Sequence, residues 1–275
     1  MGGAAAHAQV SRACLAPCLL EAYRDTGLAP RGRKSDYDHR MSGSGAKPPI
    51  ELHAHAVASA QIHATARVIA NFAWQHLRAA TMFRDQLVSI EASNARTVFG
   101  SFFEDIRSYG SACIMSAAAS IEALINELFI NPEGPLRKKF EDFETEFWGA
   151  NGIERKRSLE KYQVALDMLG KPRIDEQTSS FRNAWALFEL RNALVHYKPT
   201  WDPIRQRNVE LIEILSGQFE PSKFPDSGAD FVTMRAMSGD CMNWVITTVI
   251  NFLRDFDSRS RLDDNKMSGF WRFET

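Results

Sequence analysis

Apolar residues recur along this chain at helical spacing, and nowhere do they keep the strict two-residue alternation of a half-buried strand. The densest stretch is Phe181 to Pro199, FRNAWALFELRNALVHYKP. Phe181, Trp185, Phe188, Asn192 and Val195 follow the alternating four-and-three spacing of one helical seam. Leu187, Leu190, Leu194 and Tyr197 form a second seam beside it. Two seams predict a buried helix, largely covered by its neighbours. It should end near Tyr197 or Lys198, because Pro199 disfavours the α conformation of its predecessor.

The same spacing predicts the other elements. Residues 55–92 read as a long helix or a broken pair, with Ile62, Ile69, Phe72, Leu77, Phe83, Leu87 and Ile90 in register. Residues 97–130 form a second strong helix on the seam Ile114, Ala118, Ile121, Ile125 and Leu128. Its small run, Ser116 to Ser120, admits a close neighbour, and Asn131-Pro132-Glu133-Gly134-Pro135 ends it. Residues 136–148 and 157–169 read as shorter amphipathic helices, the latter closed by Gly170-Lys171-Pro172. A helix over about 204–215, a loop over 216–228 and a last long helix over about 229–256 follow. That last helix turns Cys241, Val245, Phe252 and Phe256 inward, and the apolar tail with Phe270, Trp271 and Phe273 docks on the bundle.

Residues 1–50 are rich in Ala, Gly, Ser and Pro around the charged cluster RGRKSDYDHR, and they predict a disordered tail in which Met41 would serve equally well as a start. There is no internal repeat, phosphate-binding glycine loop or nucleophile elbow. The expected fold is therefore all-α: a single helical domain over 51–275, with a long N-terminal helix.

Composition narrows the function. A hydrophobic content of 44% supports a real core, and a formal charge of −1 argues against broad, charge-driven nucleic-acid binding, so any RNA contact must be local. No run is read as reaching transmembrane length, and LAPCLL near the start lacks the basic leader of a signal peptide. Cys14, Cys18, Cys113 and Cys241 are too few and too scattered for a disulfide framework. Cys14 and Cys18 have metal-like spacing, but no second ligand pair follows at zinc-site distance. His53, His55, His63 and His76 have no carboxylate or cysteine in sequence to complete a metal site. A reduced, cytoplasmic protein without metal or cofactor is the simplest expectation.

Three polar residues interrupt the central apolar pattern: Arg191, Asn192 and His196. A buried guanidinium without a partner costs several kcal/mol, so Arg191 either pairs or opens onto a wet cleft. At about 100° per residue Asn192 and His196 share a face, whereas Arg191 and His196 lie about 140° apart around the axis. His196 falls in the last turn, by the negative end of the helix dipole. On the second strong helix, Glu122 and Asn126 lie one turn apart. They are either a plain polar edge or the groups that orient Arg191 from the facing helix.

The segment RNALVH, Arg191 to His196, resembles the R-x(4–6)-H signature of the HEPN superfamily, which usually carries a polar residue after the arginine. The resemblance implies a helical domain over about 100–257. It also implies either a metal-independent RNA endonuclease, of the toxin or phage-defence kind, or a module that binds RNA or protein without cleaving. In active members the arginine and histidine face the same pair from a second protomer. Some members have a tyrosine two residues after the histidine. Here Tyr197 follows directly and Lys198 holds that position, so no tyrosine role transfers.

The chemistry agrees with that implication. Attack of a 2′-hydroxyl on its phosphate, giving a 2′,3′-cyclic phosphate, needs a base, an acid and a cation for the phosphorane charge. Arginine suits the last task, and histidine the proton transfers. One histidine cannot be base and acid in one concerted step, so a two-fold homodimer with two Arg191/His196 pairs across one groove completes the set. Asn192 would fix the imidazole or touch phosphate. An antitoxin or other protein would be a further partner. The plain alternative is that Arg191 pairs with a buried carboxylate or caps carbonyls, and His196 merely closes the helix.

Overall fold

The computed structural model describes residues 71–198, 208–262 and 270. Six α-helices occur among them: α1 (Ala73–Ser93), α2 (Phe102–Ile130), α3 (Ser158–Met168), α4 (Ser179–Val195), α5 (Val209–Leu215) and α6 (Gly239–Ser260). The described residues contain no strand, so the fold class is all-α.

The central rod is α2. Every residue of its predicted seam, Ile114, Ala118, Ile121, Ile125 and Leu128, is buried. It packs against α1, α3, α4 and α6. Glu127, near its C-terminal end, accepts the N–H groups of Phe72 and Ala73 at 2.8 and 3.1 Å. A carboxylate thus caps the start of α1 and fixes α1 antiparallel to α2. Glu91 does the same at the other end, accepting the Gly239 N–H of α6 at 3.0 Å. Contrary to the sequence reading, α2 is long and apolar enough to cross a membrane by length and composition. Over half of its apolar window (56%) is buried inside the bundle, as a core rod requires.

Several boundaries differ from expectation. Residues 136–148 form no amphipathic α-helix but a 3₁₀ turn, Arg137–Lys139, and a π-helical turn, Glu144–Trp148. Their acids lie in solvent, as expected, and also satisfy local backbone. Glu146 accepts the Glu141 and Asp142 N–H groups, and Asp142 accepts that of Thr145. Phe140, Phe143 and Phe147 pack ring on ring behind them. The helix expected from 229 is likewise split. A π-helical turn, Phe231–Arg235, precedes α6, which restarts because the Ser238 side chain caps the Cys241 N–H at 3.1 Å.

Other expectations stand closer. Cys241, Val245, Phe252, Phe256 and Phe270 are buried. Helix α3 ends as Gly170 implies, with φ +66° at that glycine. The Lys171 N–H bonds the Leu166 carbonyl and the Gly170 N–H that of Asp167, both at 2.9 Å. The part of 55–92 within the described residues is α1. Its expected N-terminal extension, the 1–50 tail, Cys14, Cys18, His53, His55, His63, Trp271 and Phe273 lie outside them.

Candidate functional site

Helix α4 leaves the core as it runs. Thr178 caps its start, accepting the Phe181 N–H, and Ser180 Oγ donates to Asp255 of α6 at 2.7 Å. Phe181, Ala184, Ala186, Leu187 and Leu190 are buried, but Arg191 to Leu194 are half-buried and Val195 to Lys198 exposed. The helix stops at Val195, earlier than Pro199 alone required. His196 is the C-cap, at φ −101° and ψ 29°, and its N–H donates to the Asn192 carbonyl at 2.9 Å. Leu190 is the last buried residue of α4, and Leu194 packs only partly on the core.

Arg191 lies where burial gives way to exposure. Its Nη1 donates to Asn192 Oδ1 at 2.9 Å, and its Nη2 donates to Glu122 Oε2 of α2 at 3.4 Å. The guanidinium carbon lies 5.8 Å from the centroid of the Phe188 ring. The side chains of Arg191 and Glu122 are 29% and 43% exposed, so the guanidinium is both paired and open to water. Arginine carries five N–H donors. These bonds leave others for an incoming anion.

The structure brings together Arg191, Asn192 and Glu122, but not His196. The imidazole stands at the exposed helix end, and the side chain of Asn192 turns to the guanidinium instead of fixing it. Asn126 does not reach Arg191 either. Its Oδ1 accepts Lys161 Nζ of α3 at 2.9 Å.

Lys161 is the residue that sequence reasoning missed. It is 3% exposed, on a helix whose charges read as a solvated face. Burial pushes its ammonium below the usual lysine range, partly offset by the negative charges of Glu122 and Glu154. Its neighbour Tyr162 is fully buried and donates its hydroxyl to the Ile121 carbonyl at 2.8 Å, which docks α3 on α2 beside Glu122. In sequence the only signal is position: Lys161 lies about 40° from Ala165 around the helix, at the margin of the apolar stripe.

No group of three or more His, Cys, Asp or Glu side chains among the described residues is arranged to hold a metal ion. Comparison with family models, with curated proteins and with solved structures finds no match for this chain.

Proposed function

We propose that this chain is a HEPN-like, metal-independent endoribonuclease, cleaving RNA through a 2′,3′-cyclic phosphate at a site shared by two protomers. One observation carries the reading. A partly exposed arginine side chain, held by Glu122 and Asn192, lies within two turns of an exposed histidine at the end of α4.

In this reading Arg191 takes the phosphate oxygens and stabilises the charge that develops on them, and His196 transfers protons. A second protomer supplies the second histidine that a concerted acid–base step needs. Val195 and Tyr197, about half-exposed beside His196, give that protomer apolar surface to bury. Glu122 and Asn192 aim the guanidinium. A cytoplasmic toxin or phage-defence effector, restrained by an antitoxin or another protein, is the role such an activity fits. The free, buried Cys113 and Cys241 accord with a reducing compartment.

A second reading rests on the His196 environment. Among the described residues no side chain orients its ring, which also suits a non-catalytic helical module that binds RNA or protein. RNA cleavage by wild type, Arg191→Ala and His196→Ala, each with and without EDTA, decides between them. The nuclease reading expects cleavage indifferent to EDTA and reduced about 10²–10⁴-fold by His196→Ala. Cleavage that survives both substitutions, or disappears with EDTA, overturns it. Absence of cleavage by the wild-type dimer leaves the binding module.

A further inference from the structure

Aromatic rings from α3, α4 and α6 interlock in the core, where Tyr162 meets Phe252 and Phe256, and Phe181 meets Phe252. Phe188 of α4 does not join them. It is half-buried against the core, and its one ring contact among the described residues is with Arg191, whose guanidinium carbon lies 5.8 Å from the ring centroid. Arg191 and Asn192, also half-buried, follow Phe188 by three and four positions, so the three share one face of the helix.

The second group of interest on this face is the Asn192 carboxamide. A guanidinium only donates, so the atom that faces Arg191 Nη1 at 2.9 Å is the amide oxygen, and the amide nitrogen is turned from it. That nitrogen donates to no group among the described residues, which leaves its N–H donors for a ligand.

We propose that Phe188 and Asn192 form a nucleobase subsite beside Arg191: a base next to the scissile phosphate stacks on the Phe188 ring and accepts a hydrogen bond from Asn192 Nδ2. The subsite rests on the endoribonuclease reading, in which Arg191 holds that phosphate. The one-turn offset, about 5.4 Å along the axis, sets the ring to one side of the phosphate, where a flanking base lies. Every base has a π-face, so the ring positions RNA without reading its sequence. Asn192 adds a bias. A free carboxamide reads adenine by giving one hydrogen bond and taking another. With its oxygen committed to Arg191, Asn192 can only give. Adenine, alone among the RNA bases, has no carbonyl oxygen to receive that bond, and the subsite disfavours it.

The test uses the full chain and DNA oligonucleotides that carry a single ribonucleotide, so that one phosphate can be cut. The bases on either side of it are varied in turn, or removed to leave the bare sugar. Phe188→Leu should slow cleavage roughly tenfold when the stacked base is present, within the usual worth of one base on an aromatic ring. That factor should vanish when the base is removed. Wild type should cut a probe with adenine at the stacked position about threefold or more slowly than one with uracil, the size of one hydrogen bond. Asn192→Asp keeps an oxygen for Arg191 but has no N–H to give, and it should erase that difference.

A Phe188→Leu loss of equal size with and without the base, or adenine cut as fast as uracil, overturns the proposal, since a ring that only packs α4 cannot sense a missing base. Should Phe188→Leu fail to fold, Phe188→Met keeps a long apolar side chain without a ring face and gives the same comparison. All-deoxy versions of the probes cannot be cut, and fluorescence anisotropy then follows binding alone. Base-dependent binding without cleavage upholds the subsite and overturns the endoribonuclease reading. Cleavage with equal losses does the reverse, and a wild type that neither binds nor cuts any probe overturns both.

Discussion

The two halves of α4 are built to different rules. From Phe181 to Leu190 the helix is a packing element: its seam faces α2 and α6, and its N-terminus is tied down by Thr178 and by Ser180 on Asp255. From Arg191 onward the same helix has half its surface in water and ends as soon as apolar contacts run out. The difference teaches where chemistry can stand in a bundle. The first half supplies the rigidity, so the second can carry a paired but water-exposed arginine and an exposed imidazole.

The sharpest way to break this comparison is to truncate each half in turn. Leu187 is fully buried. Leu187→Ala should destabilise the protein by about 2–5 kcal/mol, the usual range for a core leucine. His196→Ala, at an exposed cap, should stay within about 0.5 kcal/mol. Chemical denaturation of both variants checks this. A His196→Ala variant as unstable as Leu187→Ala would mean that the helix end is structural and that the division is false.

A smaller effect sharpens the picture at the seam between the halves. Tyr162→Phe removes the buried hydroxyl that bonds the Ile121 carbonyl and leaves the ring packed edge-on against Phe252 and Phe256. It should cost about 0.5–1.5 kcal/mol in a denaturation experiment. Because the rings stay in place, α3 stays docked. A loss well above that range would mean that the hydroxyl, and not the aromatic packing, holds α3 beside Glu122.

How much of this could be read beforehand follows from what periodicity reports. The α2 seam and the inward face of α6 were legible residue by residue, because burial of a continuous stripe is what a four-three repeat encodes. The exposed end of α4 was not. Val195 and Tyr197 fit their seams as well as Leu187 does, and a repeat cannot say where a helix runs out of neighbours. The exposed charges expected over 136–148 are there, but spacing could not show that Asp142 and Glu146 bond local backbone and close turns in place of a helix. From its place on α2, Glu122 could be offered as a partner for Arg191 only as the alternative to a plain polar edge. Asn126 was grouped with it, and only the tertiary packing of α3 shows that it belongs to Lys161.

A last contrast between the interior and the open edge is read through pH. Burial holds the Tyr162 hydroxyl well above its usual range, pushes the Cys113 thiol up to about 12, and raises Cys241 as well. Each keeps its proton in the folded state at a pH where the unfolded chain has lost it. The native state then binds more protons than the unfolded one, and stability falls as pH rises from about 9, by up to about 1.4 kcal/mol per unit for each such group. Lys161 runs the other way. Its ammonium is depressed by burial, so between its folded value and the ordinary lysine value the unfolded chain binds the extra proton, and stability rises with pH. Three groups oppose one, and the alkaline limb should slope downward. Replacing Cys113 and Cys241 with alanine should flatten that limb in denaturation series between about pH 8 and 10. A limb that keeps its full slope without the two thiols would show that the buried cysteines do not set it.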